Sequence, residues 1–129
     1  MRTIEEIKQE ANQYQVFLDS APVEIDNGDI LVEFLGQLNN VMSRTGVMMA
    51  EAQKICDMAR HKVYADEFKR IKELSATIAK NYVETCIADE SALVTWVEQL
   101  NKTAKHQSDN LRTQISYAKE QLRLEKSGY

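Results

Sequence analysis

One proline and four glycines are very little punctuation for 129 residues. An all-β or α/β chain of this length needs turn residues about every 8–12 positions, so the scarcity argues against sheet-rich architectures from the outset. Cys56 and Cys86 are the only cysteines, and neither belongs to a C-x-x-C pair. That spacing argues against a zinc knuckle or a disulfide framework, and both are expected as buried thiols. No apolar run approaches the ~20 residues that cross a bilayer. The first residues pass from Thr3 straight to Glu5 and Glu6, without the apolar stretch of a secretory signal. A cytoplasmic location without membrane attachment is the expectation, since the acidic first helix would also be repelled by anionic lipid.

Catalytic signatures are equally scarce. There is no Gly-x-Ser-x-Gly, no glycine-rich phosphate loop, and no histidine or acid at suggestive spacing from either cysteine. The two histidines each have an aspartate at helical spacing, Asp57 with His61 and His106 with Asp109. Such pairs share a helix face, as metal ligands must, but His61 falls between the apolar positions Ala59 and Val63, and the paired Glu-x-x-His of di-iron bundles is missing. No enzymatic activity, cofactor or metal site is expected.

What the chain does have is apolar content of 43% with 28% charged residues, enough to fold as a single domain over 1–129. The net charge of −4 is unevenly spread: residues 1–53 carry three basic against nine acidic groups, 54–72 six against three, 73–98 one against five, and 99–129 six against three.

Thr3 followed by Glu6 fits a capping box, opening a helix over about 3–18 whose apolar residues Ile4, Ile7, Ala11, Tyr14 and Leu18 are spaced three and four apart. Residues 19–28 hold the only proline, Pro22, with several aspartates, and read as a loop. From there the spacing predicts a long helix over about 29–74. Leu31, Leu35, Leu38, Met42, Thr45, Met49, Ala52, Cys56, Ala59 and Val63 alternate steps of four and three without a break. Phe34, Val41, Met48 and Ile55 widen this seam enough for more than one neighbour. At 1.5 Å per residue such a helix is ~68 Å long, far beyond the ~14 Å radius of gyration of a compact globule of this size. Gly46 within it is read as a tolerated defect, a close-packing point or a bend.

One or more helices then cover about 76–126, starting from Ser75 as an N-cap, with Asp89 to Ser91 as a second candidate break. Charge chooses between the two reversals. A turn near Ser75 lays the basic block 54–72 beside the acidic block 73–98, whereas a turn near Asp89 lays it beside the basic residues 107–125. The first is preferred. The expected fold class is therefore all-α, an elongated antiparallel hairpin of long helices plus a shorter N-terminal helix, in a coiled-coil-like bundle.

The first helix covers ~25 Å of its long partner. The seam residues Leu31, Leu35, Leu38, Met42 and Met49 are accordingly expected to bury themselves against a second copy, giving an antiparallel homodimer or higher oligomer. In the preferred register the polar stretch 101–110 is level with 39–46. Asn39, Ser43, Thr45 and Gln107 are then expected to form a register-setting polar layer.

The C-terminal helix also carries Lys102, Lys105, Arg112, Lys119, Arg123 and Lys126 with Tyr117 among them. Such a stripe could meet a protein partner, follow the phosphates of single-stranded nucleic acid, or simply be a solvated face that offsets the acidic first 53 residues. A sequence pI near 5.2 argues against tight duplex binding.

The C-terminal third, from Asn101 through His106 and Gln107 to the run Leu111–Glu120, resembles small helical proteins encoded by bacteriophages and prophages. The resemblance is clearest over about 85–126 and fades over 30–65. Such proteins often lie beside single-strand annealing or DNA-recombination genes, so the resemblance implies an accessory role in DNA metabolism and transfers no catalytic residue. The expected function is a non-enzymatic helical assembly or adaptor protein. The alternative is a weak binder of single-stranded nucleic acid through the C-terminal basic stripe.

Overall fold

The computed structural model describes residues 1–20 and 28–127, and every element in it is helical. Most of the loop expected over 19–28, Pro22 included, lies outside the described residues. Five helices follow in order: α1 Ile4–Asp19, α2 Gly28–Asp66, α3 Phe68–Ile71, α4 Ala76–Cys86 and α5 Ala88–Lys126.

Local chemistry starts α1. The Thr3 side chain accepts from the Glu6 amide at 3.3 Å, and the Glu6 carboxylate accepts from the Thr3 amide at 3.4 Å, so two otherwise orphaned N–H groups are satisfied. The helix buries Ile7, Ala11 and Leu18 against both α2 and α5.

α2, at 39 residues about 58 Å long, packs along α5, which has the same length. Asn101 meets Met42 and Thr45, while Arg60 meets Glu84, so the chain runs in opposite directions on the two sides. Arg2 meets Glu51 and Arg44 meets Glu10, which sets α1 antiparallel to α2 as well. The main core joins Leu38, Val41, Met48 and Ala52 of α2 to Leu93, Val97, Leu100, Ala104 and Leu111 of α5, with Ile7 and Ala11 of α1. A satellite cluster of Ile71, Ala79 and Val83 closes the end where the chain reverses.

The expected long helix to residue 74 is interrupted. α2 stops at Asp66, Glu67 leaves helical geometry, and α3 adds a single turn. The reason lies in the pattern: past Val63 the seam positions are Asp66 and Arg70, so a straight continuation would bury nothing. Turning instead puts Ile71 against Ala79 and Val83. Ser75 then caps α4, its hydroxyl accepting from the Ile78 amide at 3.3 Å. The second irregularity falls at Ile87, which is 1% exposed, and its hydrogen bonds to Val83 and from Ser91 carry the chain through into α5.

The residues expected as a self-association seam find neighbours within the chain. Leu31 and Leu38 are buried within one chain, and Leu35, Met42 and Met49 are half-buried against the same core, while Val41 and Met48, expected at the margin, lie at its centre. A stripe wide enough for two neighbours finds both in its own chain, α5 along its length and α1 beside it. Cys56 is buried, as expected, but Cys86, the last residue of α4, is exposed.

Candidate partner surface

Helix α5 outlasts its core. Leu111 is its last fully buried residue, Ile115 touches the core edge, and all of 116–127 is exposed. The apolar rhythm nevertheless continues: Leu111, Ile115, Ala118 and Leu122 keep steps of four, three and four, and Leu122 is 55% exposed.

Every basic residue of the stripe, Lys102, Lys105, Arg112, Lys119, Arg123 and Lys126, is exposed. Arg112, Lys119 and Lys126 recur at seven-residue intervals and flank one side of the Ile115–Ala118–Leu122 seam. On the other side of the seam stand Gln107, Gln114 and Gln121. Arg123 is neutralised locally by Glu120 at 2.5 Å, and Arg112 reaches Asp109 only at 4.0 Å. Lys105, Lys119 and Lys126 have no ion pair among the described residues.

Tyr117 does not join them. Two residues from Lys119, it projects roughly 160° away around the helix. There it is 68% exposed, accepts a hydrogen bond from the Gln121 amide at 2.8 Å and stands one heptad from Leu124. Aromatic ring and cations therefore occupy opposite faces, which removes the stacking platform that an unpaired base would need beside a phosphate track.

The expected polar layer is replaced by two separate contacts. Thr45 is fully buried, donating to the Val41 carbonyl at 2.7 Å and accepting from Asn101 Nδ2 at 3.0 Å; the same Asn101 amide donates to the Met42 carbonyl at 3.1 Å. Asn39 and Ser43 face solvent. Gln107 lies elsewhere, donating to the Leu18 carbonyl at the end of α1 at 3.2 Å, where it satisfies one of that helix's terminal acceptors. Asn101 lies six residues before Gln107 and so about 120° away around α5, and the two side chains reach different neighbours, α2 and α1.

Sequence reasoning missed a charge cluster at the α1–α2 contact. Glu10 accepts from Arg44 at 2.9 and 2.8 Å, from Arg2 at 2.6 Å and from the Tyr14 hydroxyl at 2.5 Å. Arg2 also holds Glu51 through two bonds of 2.8 and 2.6 Å. The Arg44 guanidinium dominates in lowering the Glu10 carboxyl to about 2, against the opposing effect of burial. Arg2 likewise holds Glu51 below the ordinary range, and burial together with Glu10 raises the Tyr14 hydroxyl. No sequence spacing announced this cluster, because its members meet only once α1 has docked.

The described surface includes two open depressions. One of about 600 Å³ runs between α1 and α2 beside Tyr14, Phe17, Gly36 and Val41; the other, about 810 Å³, lies on α2 beside Lys54, Met58 and His61. Among the described residues no three His, Cys, Asp or Glu side chains are placed to hold a metal ion, and no helix is long and apolar enough to cross a membrane. No protein-family model, curated protein or solved structure matches this chain.

Proposed function

We propose that this protein is a non-enzymatic helical adaptor whose bundle of α1, α2 and α5 holds out the end of α5 for a partner, as an accessory factor in phage or prophage DNA metabolism. The observation that carries the reading is the exposure of 116–127 in a helix whose apolar rhythm runs on through Leu122. An exposed apolar residue is ordinary by itself, but a helix extended past its own core with its seam in register is what helix-in-groove and coiled-coil partners recognise. The role in DNA metabolism rests on the resemblance of the C-terminal third alone.

Self-association remains part of the proposal only in altered form. With Leu31 and Leu38 inside the chain, two copies would have to meet through the end of α5 or through exposed α2 residues such as Val32, Val47 and Met58. Binding of single-stranded nucleic acid is the second reading, favoured by Lys105, Lys119 and Lys126 and weakened by the position of Tyr117.

The test is a photoreactive amino acid placed at Leu122 and, as a control, at Asn12 on the exposed face of α1, in cells of the native host. The adaptor reading expects a discrete protein adduct from position 122 and none from position 12. Nucleic-acid adducts alone, or identical patterns from both positions, would refute it.

A further inference from the structure

We infer that the end of α5 is built to receive an acidic amphipathic helix from a partner protein. The inference rests on the adaptor reading and specifies its partner's chemistry. Two features on one helix support it. The first is continuity: the seam that packs Leu93, Val97, Leu100, Ala104 and Leu111 against α2 carries on through half-buried Ile115 to Ala118 and Leu122, which are exposed. A helix laid there would extend an interface that the chain already uses, with the same knobs-into-holes spacing.

The second feature is charge. In heptad terms, with Ile115 and Leu122 at a and Ala118 at d, the apolar seam closes at Glu125, the next d position; the e positions are Arg112, Lys119 and Lys126, all cations, and the g positions Gln114 and Gln121 are neutral. Residues at e and g face the neighbouring helix and select it by sign. Two copies packed antiparallel through this face would set the e cations of one against the e cations of the other, and like charges directly opposed are unfavourable. Two copies packed parallel would pair cations with glutamines and gain nothing. A helix carrying Glu or Asp at its own flanking positions answers all three cations. Lys119 and Lys126 have no ion pair to give up for it among the described residues, and Arg112 gives up only an exposed contact at 4.0 Å.

Single-stranded nucleic acid is also anionic, but it would use the cations and leave Leu122 without a role. The apolar seam beside the cations is what favours a helix over a phosphate backbone. Tyr117 and Leu124, on the far side of α5, are not part of the docking face.

The experiment uses the full chain and three fluorescent probes: a three-heptad amphipathic peptide with Leu at a and d and Glu at e and g, the same peptide with Lys in place of Glu, and an oligo-dT strand. Fluorescence anisotropy should show the Glu peptide binding at least about tenfold tighter than the Lys peptide. Leu122→Asp should weaken it by about tenfold or more, and the Lys119→Glu/Lys126→Glu pair should reverse the preference between peptides. All three positions are exposed, and matching thermal unfolding of variants and parent establishes that the bundle is intact. Equal affinity for the two peptides, absence of binding, or oligo-dT binding that ignores Leu122→Asp would each overturn the inference. If these results coincide with a discrete protein adduct at position 122 in cells, the adaptor reading survives and only the acidic helix is lost. If no adduct forms either, both fail.

Discussion

Replacing Glu10 by Gln preserves the shape of the side chain at the centre of the α1–α2 charge cluster while removing its charge. Glu10 is 15% exposed as a side chain and serves Arg44, Arg2 and Tyr14 together. Gln can still accept from Arg44 through its oxygen, but its amide nitrogen would face a guanidinium and leave Arg2 short of a partner on that side. A carboxyl lowered from an ordinary value of 4.5 to about 2 contributes, at roughly 1.4 kcal/mol per pH unit, about 3 kcal/mol of stability. Arg2 and Arg44 are 30% and 39% exposed, so water screens part of this and about 2 kcal/mol is the better expectation. Because the folded value is depressed, this stability is fully present above about pH 4.5 and is lost as the pH falls toward about 2. In urea unfolding followed by circular dichroism, Glu10→Gln should therefore cost about 2 kcal/mol near neutral pH, or about 7 °C in the thermal midpoint. The gap from the parent should shrink to about a quarter of that at about pH 2.5. An equal loss at both pH values would show that Glu10 acts through packing and would refute the electrostatic account of the cluster.

Three further outcomes follow from the bundle. Asn101→Ala removes two hydrogen bonds to Met42 and Thr45 and should cost about 1–2 kcal/mol, whereas in a Thr45→Val background the same change should cost measurably less; equal costs in a double-mutant cycle would uncouple the pair. A Cβ at Gly46 would meet nothing within 4 Å, so Gly46→Ala should stabilise α2 by up to about 1 kcal/mol, and a destabilised variant would reveal a bend that the helix requires. With thiol reagents, exposed Cys86 should react at once, while Cys56, buried and with its thiol pushed up by that burial, should react only on unfolding. Simultaneous modification would contradict the burial of Cys56.

What was legible in the sequence was mostly local. The all-α class followed from the scarcity of Gly and Pro together with apolar steps of three and four, and the Thr3 box is visible because its partners are three residues apart. What escaped depends on which surfaces meet. The spacing rule treated Met42 and Val41 as seam and margin, but a few tens of degrees of helix rotation decide which lies deeper, and docking of α1 sets that rotation. Gln107 escapes the spacing argument because spacing does not say where along the bundle α1 ends; with that end beside α5, the Leu18 carbonyl takes the Gln107 amide. The Glu10 cluster was hidden for the same reason. Tyr117 is a different case, since counting two residues around a helix from Lys119 already separates it from the cations.

Amide hydrogen exchange along α5 tests the central claim most directly. In the isolated chain at micromolar concentration, amides in 93–111 should exchange slowly and those in 116–127 rapidly, with the boundary near Ile115; addition of the Glu-flanked peptide should slow 116–127 while leaving 93–111 unchanged. Protection of 116–127 equal to that of 93–111 in the chain alone would mean that this face is already covered, and would contradict the account of α5 as a surface held open for a partner.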